Sequence, residues 1–172
     1  MKTQLQNLIV LACLLCLMSC SSDDDNSSAT ADPEGTWFLT SLSIETAFDF
    51  NEDGTASRNL YEETPCYDGD FVSFDAEDGA RVVSALTYIS VNVNSPTDYN
   101  YQYACQNGFD TETTFTQNGN TLALELAGRE AIGTISANIL TVVLPDFFEI
   151  EMYNGTEYFD VQEDVTLVYI RQ

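Results

Sequence analysis

Three sets of residues in this chain have the types and spacing to do chemistry. Asp49, Asn51, Asp53, Gly54 and Ser57 stand at positions 1, 3, 5, 6 and 9 of a calcium-loop pattern. Position 12 is Leu60, where a bidentate acid belongs, although Glu62 and Glu63 follow closely. Turn chemistry alone accounts for the same residues, because Asn and Asp side chains bond their own backbone. No metal ligand is assigned on this pattern. The second set is Tyr99, Tyr101 and Tyr103, which alternate strictly and bring Cys105 onto their face. Turned inward, the rings would line a ligand wall with Phe148, Ile150 and Met152, part of an apolar cluster from Phe147 to Tyr153 beside Pro145. Turned outward, they could stack on sugar rings; cross-strand packing with no ligand is the plainer alternative. The third set is the 28 acids. Glycoside hydrolysis needs two opposed carboxyls, but with so many acids a pair is always available, and no motif singles one out.

What is missing narrows the chemistry further. The chain has no histidine, so the usual general base at neutral pH and the commonest zinc ligand are both absent. Lys2 is the sole lysine. Ser–His, Cys–His, Ser–Lys and Schiff-base mechanisms fall away together, and the expectation is a non-enzymatic protein without a cofactor. Beyond the leader, Arg58, Arg81, Arg129 and Arg171 stand against 28 acids, a formal charge of −24. That charge excludes nucleic acid as a partner, because binding there requires cationic neutralisation of phosphates. It likewise opposes direct docking on anionic headgroups.

The start of the chain carries an address. Lys2 supplies a positive n-region and Leu8 to Met18 an apolar stretch too short to span a bilayer. Leu17-Met18-Ser19-Cys20 then resembles the lipobox of bacterial lipoproteins, with Leu at −3 and Ser at −1 and Met18 a mild departure. The resemblance implies cleavage after residue 19 and a diacylglyceryl thioether on Cys20. Two or more acyl chains anchor stably where one does not. Ser21-Ser22-Asp23-Asp24-Asp25 resembles the export signal of surface lipoproteins in one group of Gram-negative bacteria; otherwise it is a solvated spacer. Residues 20–34 are expected to form a disordered acidic tether with a reach on the order of 20 Å. The expected location is the outer membrane, lipid-anchored and exposed at the cell surface. Cys66 and Cys105 remain in the domain, and in an oxidising compartment a disulfide is the default for such a pair.

The elements that must position these residues read as strands. From Gly35 to Gln172 the pattern is period-2 alternation broken by Gly and Asn turns. The first strand, about Thr36 to Phe50, changes parity near Ser41, which predicts a bulge. Further strands are expected near Thr55–Tyr61, Phe71–Phe74, Arg81–Val93, Tyr99–Cys105, Thr111–Thr116, Thr121–Leu126, Ala131–Ser136, Ile139–Leu144 and Val165–Arg171, with Phe147–Tyr153 another strand or a lid. No segment shows a 3.6-residue stripe. About eight to ten antiparallel strands at this spacing make an all-β barrel or, alternatively, a β-sandwich.

Gly35-Thr36-Trp37 opens the first strand and Arg171 ends the last. On these residues the domain resembles the lipocalin-like domains of exported bacterial lipoproteins, with further likeness in Asp49-x-Asn51-x-Asp53-Gly54 and in the placement of Cys66 and Cys105. The resemblance implies an antiparallel barrel whose closed end is crossed by Trp37, with Arg171 packed over the indole by cation–π attraction. It also implies a carrier that takes a small apolar or amphipathic ligand inside. The alternative is a cell-surface interaction module that recruits a protein or glycan and holds no internal ligand.

Overall fold

The computed structural model describes residues 30–126 and 128–172. The leader, Cys20 and the acidic run that follows lie outside the described residues. The elements are β1 (Gly35–Phe48), β2 (Ser57–Asn59), α1 (Leu60–Glu63), a 3-10 turn (Pro65–Tyr67), β3 (Phe71–Phe74), β4 (Gly79–Ser95), β5 (Asp98–Asn118), β6 (Thr121–Leu126), β7 (Arg129–Ser136), β8 (Ile139–Tyr153) and β9 (Tyr158–Arg171). Strands β1 and β3 to β9 pair in antiparallel succession, and β1 pairs back with β9. Eight strands therefore close a barrel, and β2 adds a short ninth along β1. Closure removes most of the edges that an open sheet would expose. The parity change in β1 is real: its register against β9 shifts between Leu39 and Ser41, so that Trp37 and Leu39 and then Leu42, Ile44 and Phe48 all face the core.

One end is sealed by the start and finish of the chain. Trp37 is fully buried, and its Nε1–H donates to the Pro33 carbonyl at 2.8 Å. The Arg171 guanidinium lies 4.8 Å from the indole centroid and donates to the carbonyls of Asp32 (2.8 Å) and Glu34 (3.1 Å). Gly35 makes this entry possible, because its φ of +110° turns the chain from the cap into β1, a conformation open to Gly alone. Ordered structure begins before the expected boundary: Ala31 donates to Asn120 Oδ1 at 3.0 Å and accepts from Gln117 Nε2 at 2.6 Å. Residues 31–34 are therefore part of the cap and not of a disordered tether, since each bond satisfies a polar group at the barrel end.

The other end is uneven. Strand β5 has 21 residues and β8 has 15, whereas β3 has 4, β6 has 6 and β7 has 8. The β4–β5 and β8–β9 hairpins thus rise past their neighbours. Where strands part, buried acids take over the ladder. Glu163 accepts from the amides of Glu45 (2.8 Å) and Thr46 (2.9 Å) and from the Thr46 hydroxyl. Glu63 accepts from the amides of Phe50 (2.8 Å) and Asn51 (3.3 Å). Asp70 accepts from Ala85 N at 2.9 Å, next to the register shift of β4 between Ser84 and Leu86. All three are buried, and an unbonded amide in such a place would cost about 1–3 kcal/mol.

Three local expectations are corrected. The strand expected over Thr55–Tyr61 is only Ser57–Asn59, and the chain then turns into α1. The strands expected over Tyr99–Cys105 and Thr111–Thr116 are one: Gln106-Asn107-Gly108, between them, is the middle of β5, where Gly108 passes over Ser84 so closely that a Cβ would sit 1.6 Å from its carbonyl oxygen. Phe147–Tyr153 is neither a separate strand nor a lid; it continues β8 across a register shift between Leu144 and Phe148.

Candidate functional site

The barrel interior is occupied by the protein's own side chains. After β2 the chain folds inward, placing Leu60 and Tyr67 at essentially zero exposure. Tyr67 meets Leu42 of β1, Thr87 of β4, Phe109 of β5 and Phe148 of β8 around a cavity of about 30 Å³. A second cavity of about 30 Å³, lined by Val72, Leu122, Leu140 and Tyr169, lies nearer the Trp37 end. Each has room for about one water, whereas ligand pockets span roughly 300–1,000 Å³. The plug is pinned by the Cys66–Cys105 disulfide, whose Cα atoms are 5.2 Å apart, and this joins the 3-10 turn to β5.

Burial perturbs three titratable groups in and around this segment. Burial pushes the Tyr67 phenol up to about 12; the Thr87 hydroxyl beside it works against the rise and the Asp70 carboxylate adds to it. Burial also raises Tyr169, with Asp70 again contributing. Asp70 itself is raised by burial, which the Ala85 amide and the Ser84 hydroxyl oppose. Among the described residues the Tyr67 hydroxyl and Thr87 Oγ1 have no partner within bonding geometry, and both residues border the upper cavity. A folded pKa near 12 against about 10 unfolded means that the neutral phenol's contribution is whole below pH 10 and is lost as pH rises to 12. At about 1.4 kcal/mol per unit, Tyr67 alone removes nearly 3 kcal/mol across that window. Urea midpoints measured from pH 9 to pH 12 should fall steeply in the wild type and less steeply in Tyr67→Phe; parallel curves would refute the assignment.

The six residues expected to bind a ligand differ in burial: Phe148 and Ile150 lie in the core, Tyr101, Tyr103 and Met152 are half-buried, and Tyr99 is exposed. Tyr101 meets Phe48 edge-on at 5.3 Å, and Tyr103 tilts against Phe50 at 5.1 Å. Tyr99 packs on Tyr153 at 5.3 Å, and the Tyr101 hydroxyl accepts from Tyr153 N at 3.4 Å. Tyr101 and Tyr103 turn toward the core, as one reading of their alternation has it, while Tyr99 stays exposed; Tyr99 and Tyr101 join the β4–β5 hairpin to the β8–β9 hairpin through Tyr153. Phe48 and Phe50 are the partners that complete this cluster; their alternation marks them as core in sequence but does not say what they touch.

The acidic loop is occupied with its own backbone. Asp49 accepts from the amides of Asp53 (3.0 Å) and Gly54 (3.1 Å), Asn51 from Asp53 N (3.0 Å) and Asp53 from Thr55 N (2.8 Å). Among the described residues no group of three His, Cys, Asp or Glu is arranged to hold a metal, and no helix is long and apolar enough to cross a membrane.

One feature escaped the sequence reading altogether. Strand β5 pairs with β4 along nearly its whole length, but with β6 only from Phe115 to Asn118. From Asp98 to Thr114 its other edge has no strand beside it among the described residues. Between Arg81 and Asp110, the β4–β5 hairpin carries a single charged residue, Asp98, in a chain with 28 acids. The outward face pairs Tyr88 with Ala104, Ser90 with Gln102 and Asn92 with Asn100, and Tyr88 is 47% exposed. Long uncharged edges are what natural sheets avoid, using lysine, proline or short strands. Here Tyr99 to Phe109 has no lysine or proline and is not short; the bulge of Asn107 and Gly108 opposite Ala85 is its one interruption. Comparison with protein-family models, with curated proteins and with solved structures returns no match.

Proposed function

We propose that this protein is a lipid-tethered module on the outer surface of the cell that docks a polypeptide partner by strand addition to the free edge of β5. The observation that carries the reading is that edge: unpaired from Asp98 to Thr114 and uncharged from Tyr99 to Phe109. Main-chain groups along such an edge supply affinity, and alternate side chains supply selectivity. The filled interior weighs against a carrier, because cavities of about 30 Å³ leave no room for an apolar ligand. The direction of the chain supports presentation. Residues 31–34 leave the barrel at the Trp37 end, opposite the tips of the β4–β5 and β8–β9 hairpins, so an anchor on Cys20 would hold the free edge away from the membrane.

A photo-crosslinking residue placed at Gln102 or Gln106 of the full chain, in intact host cells, should yield discrete protein adducts. The same residue at Ser136, exposed near the sealed end, should not. Absence of adducts at the β5 positions, or equal labelling at all three, would overturn the reading.

A further inference from the structure

The charges at the end of the free edge specify the partner more closely. Beyond the pair Phe115 and Leu124, strands β5 and β6 splay apart, leaving an open cleft bordered by Thr111, Glu112, Thr113, Glu125, Arg129 and Glu130. Glu125 and Glu130 are direct cross-strand partners, both exposed on the outward face. Like charges placed opposite one another destabilise a sheet. Glu112, also outward and exposed, stands across the cleft from them. Arg129, on the rim, turns its guanidinium away from the two glutamates to the carbonyls of Pro145 (3.4 Å) and Asp146 (3.0 Å). On β4, Arg81 holds Asp110 by two bonds of 2.8 and 2.7 Å and stands directly across from Glu112. The free edge thus runs from an uncharged stretch into three carboxylates, of which Glu112 faces Arg81 of β4 while Glu125 and Glu130 face each other.

Resting on the reading of β5 as a strand-addition edge, we infer that the docked segment is an extended polypeptide with an uncharged, alternating run and basic residues at the end that enters the β5–β6 cleft. The uncharged run lies along Tyr99 to Phe109, where neither sign of charge is favoured. The lysines or arginines meet Glu112, Glu125 and Glu130, relieving the Glu125–Glu130 repulsion as they bind. The net charge of the body acts in the same direction, drawing a cationic segment toward the surface and slowing an anionic one. A second copy of this chain does not fit that description, since its own edge ends in the same acids.

Fluorescence polarisation with the full chain in detergent tests this, using a labelled ten-residue alternating Thr/Val peptide ending in two lysines. A second peptide ends in two glutamates, and a third repeats the lysine peptide with alternate backbone amides methylated. The lysine peptide should bind at least tenfold more tightly than the glutamate peptide, and the gap should close in the Glu112→Gln/Glu125→Gln/Glu130→Gln variant. Equal binding of the lysine and glutamate peptides would overturn the charge assignment while leaving strand addition standing. Undiminished binding of the methylated peptide would instead overturn strand addition itself. No binding of the lysine peptide at millimolar concentration would overturn both.

Discussion

Replacing Cys66 and Cys105 together by alanine should lower the stability of the barrel by about 4 kcal/mol, the loop-closure entropy of a cross-link across 39 residues. For a domain of this size that corresponds to a fall in Tm on the order of 10 °C. The loop closed by this bond includes the 3-10 turn, β3 and β4, so the cross-link holds the plug as well as shortening the unfolded chain. Leu60 and Tyr67 keep their apolar contacts in the variant, and Glu63 and Asp70 keep their backbone partners. The barrel should therefore remain folded, with the plug its least stable part. Dithiothreitol on the wild type should reproduce the shift, and hydrogen exchange should quicken first between residues 60 and 70. A variant as stable as the wild type would mean that the plug holds itself in place.

The second large effect lies at the sealed end. Trp37→Ala should cost about 4 kcal/mol, since it removes a large, fully buried ring and leaves a cavity among β1, β3 and β9. The indole also joins the cap to the barrel, through its bond to Pro33 and the guanidinium of Arg171 above it. Residues 31–34 should become sensitive to protease in the variant. Trp37→Phe keeps most of the apolar area and should cost less, though the Pro33 carbonyl loses its donor. Arg171→Ala should remove about 1 kcal/mol of cation–π attraction together with two carbonyl contacts. Because Trp37 is the sole tryptophan, its emission reports this last variant directly. Denaturation followed by circular dichroism serves all three, and Trp37→Ala within 1 kcal/mol of the wild type would refute the cap.

Alternation of apolar residues made most of the barrel legible from sequence. The parity change in β1 placed its bulge between Leu39 and Ser41, and Asn118-Gly119 marked the turn between β5 and β6. Trp37 and Arg171 were legible through resemblance, and Cys66 with Cys105 as the isolated pair left in the domain. The plug was not, because a helix of four residues is too short to show a 3.6-residue period. Gly108 misled for a physical reason: Asn-Gly is turn chemistry, yet this glycine serves a close crossing of two strands. Glu63, Asp70 and Glu163 could not be told from the other acids, since what separates them is burial beside unpaired amides. The free edge of β5 was hidden for a related reason, since alternation shows that a strand exists but not what lies beside it.

The placement of the cap at one end and the free edge toward the other has a mechanical consequence. Suppose a pull is transmitted from residue 30 to a partner held along the upper part of β5. Its line of action runs roughly parallel to the strands, and β1 takes the load while gripped on both sides by β3 and β9. Ladder bonds lie across the strand direction, so such a pull shears many of them at once and does not peel them one by one. The domain would then resist tension along its axis far better than tension applied sideways, and would serve as a stiff coupling between whatever pulls on residue 30 and whatever β5 holds.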